Sequence, residues 1–434
     1  MTDGAMTDDA QAPDLSLAGE AHGASRSASG SSSSAPTVSS GVTRTTVGGA
    51  IIVSYLFAVV MASTTVPTPL YAIYAERMSL KPYMITIVFA LYAVGVLGAL
   101  LLFGRLADLI GRKPVVLVAV AVSAAGGIVF MTTNDLPALF VGRFLAGLSA
   151  GLVTGTATAY VSELYGNRAR GGLLATIANM GGLGLGPLIS GPLAQHAPGP
   201  TVLPYGVGIA LLLPALFVLA VPDTVRWQPG GLRAGLTPQR LGVPASMRAP
   251  FAASAIAAFV GFALLGFVTA LIGSFLAEGL SDDSHQTAGI ATFLIFAAGT
   301  AGQLVAGRWS TRTALLVGLA TIPVGLALIT SALPTNSLAL FVAGGVLGGA
   351  GVGVAFRAAV VSVAELSPDD RRGEVLSTFF VIAYIGITVP VIAAGVLITT
   401  TTLLIATVAL AIFVAVLAGV AAVILTRLPT AATA

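Results

Sequence analysis

The chain of 434 residues has no cysteine, three histidines and few charges, with 9% of positions Asp, Glu, Lys or Arg. Without cysteine there are no disulfides, thiolate metal sites or cysteine nucleophiles. The histidines, His22, His196 and His285, fall in an amino-terminal leader or in connecting loops, so neither a metal cluster nor a catalytic triad assembles from them. At 56% hydrophobic residues and a mean hydropathy of +0.97, the chain is too apolar and too sparsely charged for a soluble domain of its length, and its place is a membrane.

What is present is a succession of apolar runs bounded by charges, Gly-Pro pairs or polar clusters. They lie at 50–73, 83–103, 114–131, 137–160, 172–195, 201–221, 250–277, 286–306, 313–332, 337–363, 375–398 and 401–426. Each can cross a bilayer core as a helix, which predicts an all-α membrane protein of twelve spans. Residues 1–46, rich in Ser, Ala, Gly and Thr, predict a disordered cytoplasmic tail whose acids, Asp3, Asp8, Asp9, Asp14 and Glu20, either meet a partner or are simply solvated. The first run starts too far in for the short apolar segment of a cleavable signal peptide.

Lys and Arg fall on one side. With the amino terminus inside, inner segments carry Arg26, Arg44, Arg105, Arg112, Lys113, Arg168, Arg170, Arg226, Arg233, Arg240, Arg248, Arg308, Arg312, Arg371, Arg372 and Arg427, against Arg77 and Lys81 outside. By the positive-inside rule both termini are cytoplasmic. The net charge of +3 therefore reports topology and implies no nucleic-acid partner.

The chain also repeats. Val161-Ser162-Glu163-Leu164 and Arg170-Gly171 return as Val363-Ala364-Glu365-Leu366 and Arg372-Gly373, a constant offset of 202 that also superposes Gly147 and Gly151 on Gly349 and Gly353. Two parallel six-helix pseudo-repeats follow, 47–221 and 250–427, joined by a cytoplasmic linker at 222–249 and closed by a short tail at 428–434. Parallel repeats place a substrate at the interface of the halves, near the midplane. The linker reads as a headgroup-facing loop, with a short surface helix around 239–247 as the alternative.

Between the second and third runs sits Gly104-Arg105-Leu106-Ala107-Asp108-Leu109-Ile110-Gly111-Arg112-Lys113. This hinge resembles the loop 2–3 signature G-x-L-a-D-r-x-G-R-k of the major facilitator superfamily, with Leu109 where a base is usual. Arg143-Phe144-Leu145-Ala146-Gly147 is similar to that family's R-x-x-q-G motif, and the segment from Gly182 through Gly186-Pro187 to Gly191 resembles the G-x-x-x-G-P-x-x-G-G motif of its drug:proton antiporter branch, with Ser190 at the first of the final glycines. The resemblance covers both halves. It implies a monomeric, non-enzymatic plasma-membrane transporter that needs no cofactor, works by alternating access on a small molecule, and exports amphipathic or drug-like compounds in exchange for protons.

Candidate residues follow from chemistry and position. Asp108 is expected near a positive helix start, that of the eleventh span, and Arg112 opposite Glu163, so that Gly104, Asp108, Gly111, Arg112, Lys113 and Glu163 form a cytoplasmic gating latch; the alternative is that these charges only fix topology. The second hinge, Gly307-Arg308-Trp309-Ser310-Thr311-Arg312, has lost the acid. Arg143 begins a row with Gly147, Gly151 and Gly155, and Gly345, Gly349 and Gly353 lead to Arg357. Small residues at that spacing face protein, so each arginine either serves a cavity, binding an anion or tuning a proton, or bonds to backbone carbonyls. Gly186, Pro187 and Gly191 predict a bend that controls closure, or ordinary helix packing. Thr64, Thr65 and Tyr71 lie in a Pro-interrupted stretch of the first span; with Tyr92, Asn179 and Gln303 they are the expected polar lining, or else separate interhelical hydrogen bonds. Glu76 and Glu278, near the outer face, are the acids placed to carry a proton, or solvated boundary charges. Competing readings are uptake or exchange of an organic anion or other small metabolite, and a receptor or scaffold that has lost transport.

Overall fold

The computed structural model describes residues 44–132 and 135–428. The expected tails at 1–46 and 428–434, with His22, Arg26 and the leader acids, lie almost wholly outside those residues. Among the described residues there is no strand, and twelve helices are long and apolar enough to span a membrane. They are α1 Val47–Arg77, α2 Pro82–Phe103, α3 Arg112–Thr132, α4 Leu136–Tyr165, α5 Arg168–His196, α6 Leu203–Ala220, α7 Ala245–Gly279, α8 His285–Ala306, α9 Thr311–Thr335, α10 Leu338–Leu366, α11 Arg372–Thr400 and α12 Leu403–Arg427. Helices satisfy every backbone group within the segment, which a hydrocarbon environment requires.

Short polar residues set where many of the spans begin. Asp135, Asn167, Ser284, Ser310, Ser337 and Thr402 each cap a helix, accepting the backbone N–H of Ala138, Arg170, Thr287, Thr313, Leu340 and Ile405. Proline sets the interruption in α1. Its helix stops at Thr65, a 3-10 turn covers Thr68–Leu70, and helix resumes over Tyr71–Arg77. The hinge departs from the expected loop: Leu106–Ile110 is a short helix, and Arg112 and Lys113 already belong to α3. In the linker the short helix is Gly231–Gly235, not 239–247; only Ala245–Met247 there is helical, as a 3-10 turn leading into α7.

The repeat seen in sequence is a repeat of packing. A Cβ on Gly147 would meet the Tyr92 carbonyl oxygen, and one on Gly151 that of Val96; on the second half Gly349 meets Ile295 and Gly353 meets Gly299 in the same way. Backbones of α2 and α4, and of α8 and α10, thus touch directly at equivalent turns. The halves join along α5–α8, α2–α11 and α1–α7. At the end away from the hinge this contact is tight. Gly191 sits against the His285 carbonyl and Gly289, Gly395 against Tyr83 and Thr86, and Gly273 against Ala72. Gln195 Oε1 accepts the His285 N–H at 2.9 Å, and His196 Nε2 lies 2.7 Å from Gln286 Oε1. At the hinge end the linker bridges the halves: the Gln239 N–H donates to the Leu101 carbonyl at 2.8 Å, and Ser377 donates to Gln239 Oε1 at 2.9 Å.

Candidate functional site

Between the halves lies a central cavity of about 100 Å³, room for several water-sized groups. Its two walls differ in chemistry. The first half contributes Thr64, Thr65, Tyr92, Arg143, Thr154 and Asn179 beside the ring of Phe89, whereas the second contributes Phe262, Phe296, Phe356, Phe380 and Tyr384 with the hydroxyl of Thr269. The aromatic wall is itself packed: Phe262 lies 5.3 Å from Phe356 and 5.5 Å from Tyr384, ring centre to ring centre. Among the described lining residues Arg143 is the one cation and there is no carboxylate.

Arg143 is 1% exposed, deep in α4. Its Nη1 donates to the Thr64 carbonyl at 2.6 Å, an oxygen at the end of the α1 helix before the proline break. The guanidinium carbon lies 5.2 Å from the ring centres of Tyr71 and Phe89 and 5.6 Å from that of Tyr92. Each ring face offers about 1–2 kcal/mol to a desolvated cation, against a burial penalty of several kcal/mol for an ion without its counter-charge. Three rings together offset a share comparable to that penalty, and they do so without supplying a counter-charge. Arg143 Nε and the Tyr71 hydroxyl find no hydrogen-bond partner among the described protein atoms.

The α1 break is tied to α5 by a specific exchange. Pro187 lacks the N–H that would satisfy the Leu183 carbonyl four residues earlier. Thr65 Oγ1 lies 2.8 Å from that carbonyl, sharing its proton with Ala62 of its own helix at 3.0 Å. Gly186 lets the helices approach this closely, since a Cβ there would meet the Ala62 carbonyl.

A second polar constellation forms at the hinge. Arg112 reaches Asp108 Oδ1 at 2.5 Å and Glu163 Oε1 at 3.0 Å, and Thr224 also donates to the Glu163 carboxylate. Asp223 holds the start of α3, accepting the N–H of Arg112 at 2.9 Å and of Lys113 at 3.1 Å, an anion at the positive end of a helix. Lys113 Nζ donates to the Leu219 carbonyl at 3.0 Å. Gly111 is required by its backbone, with φ of +107°. Gly104 is required by space, because a Cβ would run into the Leu100 carbonyl oxygen, with the Gln239 side chain close beside it.

Of the expected lining, Thr64, Thr65, Tyr92, Asn179 and Arg143 are brought together on one wall, and Tyr71 stands behind it against Arg143. Others are placed elsewhere. Arg357 donates to the Gln303 backbone carbonyl at 3.1 Å beside Gly307, so both residues lie at the hinge end of α8 and α10 and outside the cavity wall. Gly147, Gly186, Pro187 and Gly191 are helix contacts, not lining: Pro187 and Gly191 both press on Gly289 of α8. Glu76 and Glu278 are exposed at the far end, Glu76 on a separate pocket with Asp282, Asp283 and His285. The Asp108 expectation is also corrected: its partner is Arg112, and the acid at a helix start is Asp223, at α3. Sequence reasoning missed Asp223 and the aromatic wall. Pro222-Asp223 just past the sixth apolar run was the available signal for the first; a phenylalanine in an apolar span offers none for the second.

The sequence profile described as Major Facilitator Superfamily matches residues 52–272 and 258–434. Curated relatives align over parts: a sugar transporter, ERD6-like 6, of Arabidopsis thaliana is 27% identical over 31% of this chain and 27% of its own length. Multidrug resistance protein MdtL of Klebsiella pneumoniae is 28% identical over 24% of this chain and 26% of its own length. The chain thus aligns with about a quarter of each relative. Solved structures align almost throughout: a bacterial homologue of the human lysosomal transporter Spinster, in an inward-facing and unoccupied conformation, has a TM-score of 0.68 at 15% identity, covering 88% of this chain and 98% of that one. The nucleoside transporter NupG has a TM-score of 0.66 at 16% identity, covering 87% and 99%. At such identities the structural likeness speaks for the fold alone, and it agrees with the twelve helices, the packing repeat and the profile match across both halves. The chain belongs to the Major Facilitator Superfamily.

Proposed function

We propose that this protein is a secondary transporter that carries a small amphipathic compound across the membrane by alternating access. The carrying observation is the central cavity between the halves, with one polar, singly cationic wall and one aromatic wall. The basic residues around the hinge support a cytoplasmic position for that end. The tight far-end contacts support an inward-facing reading of this conformer. Export is supported by the Gly-Pro motif of α5 and by the partial likeness to a multidrug resistance protein. Exchange for protons draws support only from that motif and from Glu76 at the far end, since the described cavity lining has no carboxylate.

The test is flux in proteoliposomes. A panel of amphipathic aromatic compounds, acidic, neutral and basic, should include at least one that crosses several-fold faster than in empty liposomes and accumulates against its gradient under an imposed ion or pH gradient. Background rates for the whole panel would overturn the reading. An organic anion as cargo is the second reading, favoured by Arg143, which has no acidic partner in the cavity.

A further inference from the structure

Arg143 and the α1 break carry more than the family fold requires. A guanidinium at 1% exposure would be expected beside a carboxylate. This one has a single carbonyl, Thr64, and three ring faces. Two donors are left over at the same place: Arg143 Nε–H and the hydroxyl of Tyr71, whose ring is 5.2 Å from the guanidinium carbon and whose side chain is 2% exposed. Thr68, one helical turn earlier in the same break, has a third unpartnered hydroxyl. Orphan donors around an unpaired cation are complementary to an oxyanion.

We propose that Arg143, held from behind by Tyr71, forms an anion-reading subsite and that the cargo is an amphiphile with one anionic head, carboxylate or sulfonate, and an apolar aromatic or aliphatic body. The proposal rests on the transporter reading above and names its substrate class. The head docks on the Arg143 guanidinium from the cavity side, with Tyr71 behind it as a positioning residue; the body lies against Phe262, Phe356 and Tyr384 of the other half. Because Arg143 stands toward the far end of α4, cargo arriving from the hinge end enters head first. Opening the far end would bring water to the guanidinium, weaken its hold on the head and release the anion on that side. One bound molecule touches both halves, so its affinity is tied to their spacing.

The experiment uses the full chain in lipid nanodiscs and three probes that share a ring system: 1-naphthylacetate, 2-(1-naphthyl)ethanol and 2-(1-naphthyl)ethylamine. Binding is read by naphthalene fluorescence after subtraction of empty nanodiscs. The acid should bind at least ten-fold tighter than the alcohol, and the amine weakest. Arg143→Gln should erase the preference for the acid, Arg143→Lys should keep part of it, and Tyr71→Phe should weaken the acid about three-fold while leaving the alcohol unchanged. Alcohol binding reports an intact cavity in each variant; if Arg143→Gln does not fold, Tyr71→Phe decides. Equal binding of acid and alcohol, a tighter amine, or a Tyr71→Phe effect shared by both probes would overturn the subsite. Head-group discrimination without flux in proteoliposomes would remove the transporter reading and leave the subsite standing; flux without discrimination would do the reverse.

Discussion

Position 143 on α4 is arginine, and its repeat counterpart on α10, 345, is glycine; position 155 on α4 is glycine, and its counterpart, 357, is arginine. The two helices have equivalent backbone contacts, yet each places its cation at the opposite end. At Gly345 a Cβ would lie 2.7 Å from the Ile295 side chain, so the second half is closed where the first holds Arg143. Arg357 spends its hydrogen bond on an α8 carbonyl at the hinge end, away from the cavity. The hinges diverge in the same manner. The first has Arg112 between Asp108 and Glu163 with Asp223 at the helix start, whereas Arg312 of the second bonds the Thr426 and Leu428 carbonyls at 3.2 and 3.3 Å. The glycine contacts preserve the architecture in both halves, whereas the charges differ: among the described residues the first half alone holds a cation on the cavity wall and a hinge arginine paired with acids.

The largest effect should come from what the halves share. Gly147→Leu and Gly349→Leu each drive a side chain into a backbone carbonyl of the neighbouring helix, and overpacking of this kind costs about 3 kcal/mol or more. Both variants should lose monodisperse protein on size exclusion in detergent. Normal behaviour of one of them would show that the packing repeat is not equivalent. A smaller, one-sided effect is expected at the hinges. Asp223→Asn removes a charge from the start of α3, worth up to about 1 kcal/mol at an exposed helix end, and should lower transport about five-fold with normal membrane insertion. Arg312→Gln, which loses only long bonds to carbonyls, should stay within about two-fold. A larger loss for Arg312→Gln than for Asp223→Asn would invert the assignment of the latch to the first half.

Much of this was legible in the sequence because membrane helices announce themselves by length and because two of the hinge partners, Arg112 and Glu163, lie in recognisable motifs. The offset of 202 residues foretold the matching contacts of Gly147 and Gly349. Other features depend on what folding brings together. Asp223 is distant in sequence from the helix it caps, and Thr65 meets the Leu183 carbonyl only because Pro187 frees it. Polar residues stand out against an apolar span, so Thr64, Tyr92 and Asn179 were found, whereas Phe262, Phe356 and Phe380 are indistinguishable in composition from lipid-facing neighbours. Arg357 and Gln303 misled for a related reason: a polar residue in a span needs a partner, and a backbone carbonyl serves as well as a cargo.

The absence of cysteine makes the central claim of alternating access directly testable. In the double variant His196→Cys/Gln286→Cys, whose native side chains meet across α5 and α8 at 2.7 Å, a short bifunctional thiol reagent would lock the far end. Transport in proteoliposomes should fall to the background of empty liposomes on cross-linking and return when a cleavable linker is reduced, with each single variant unaffected by the reagent. Full transport through a verified cross-link would contradict the account, because cargo would then be crossing without separation of the far ends of the two halves.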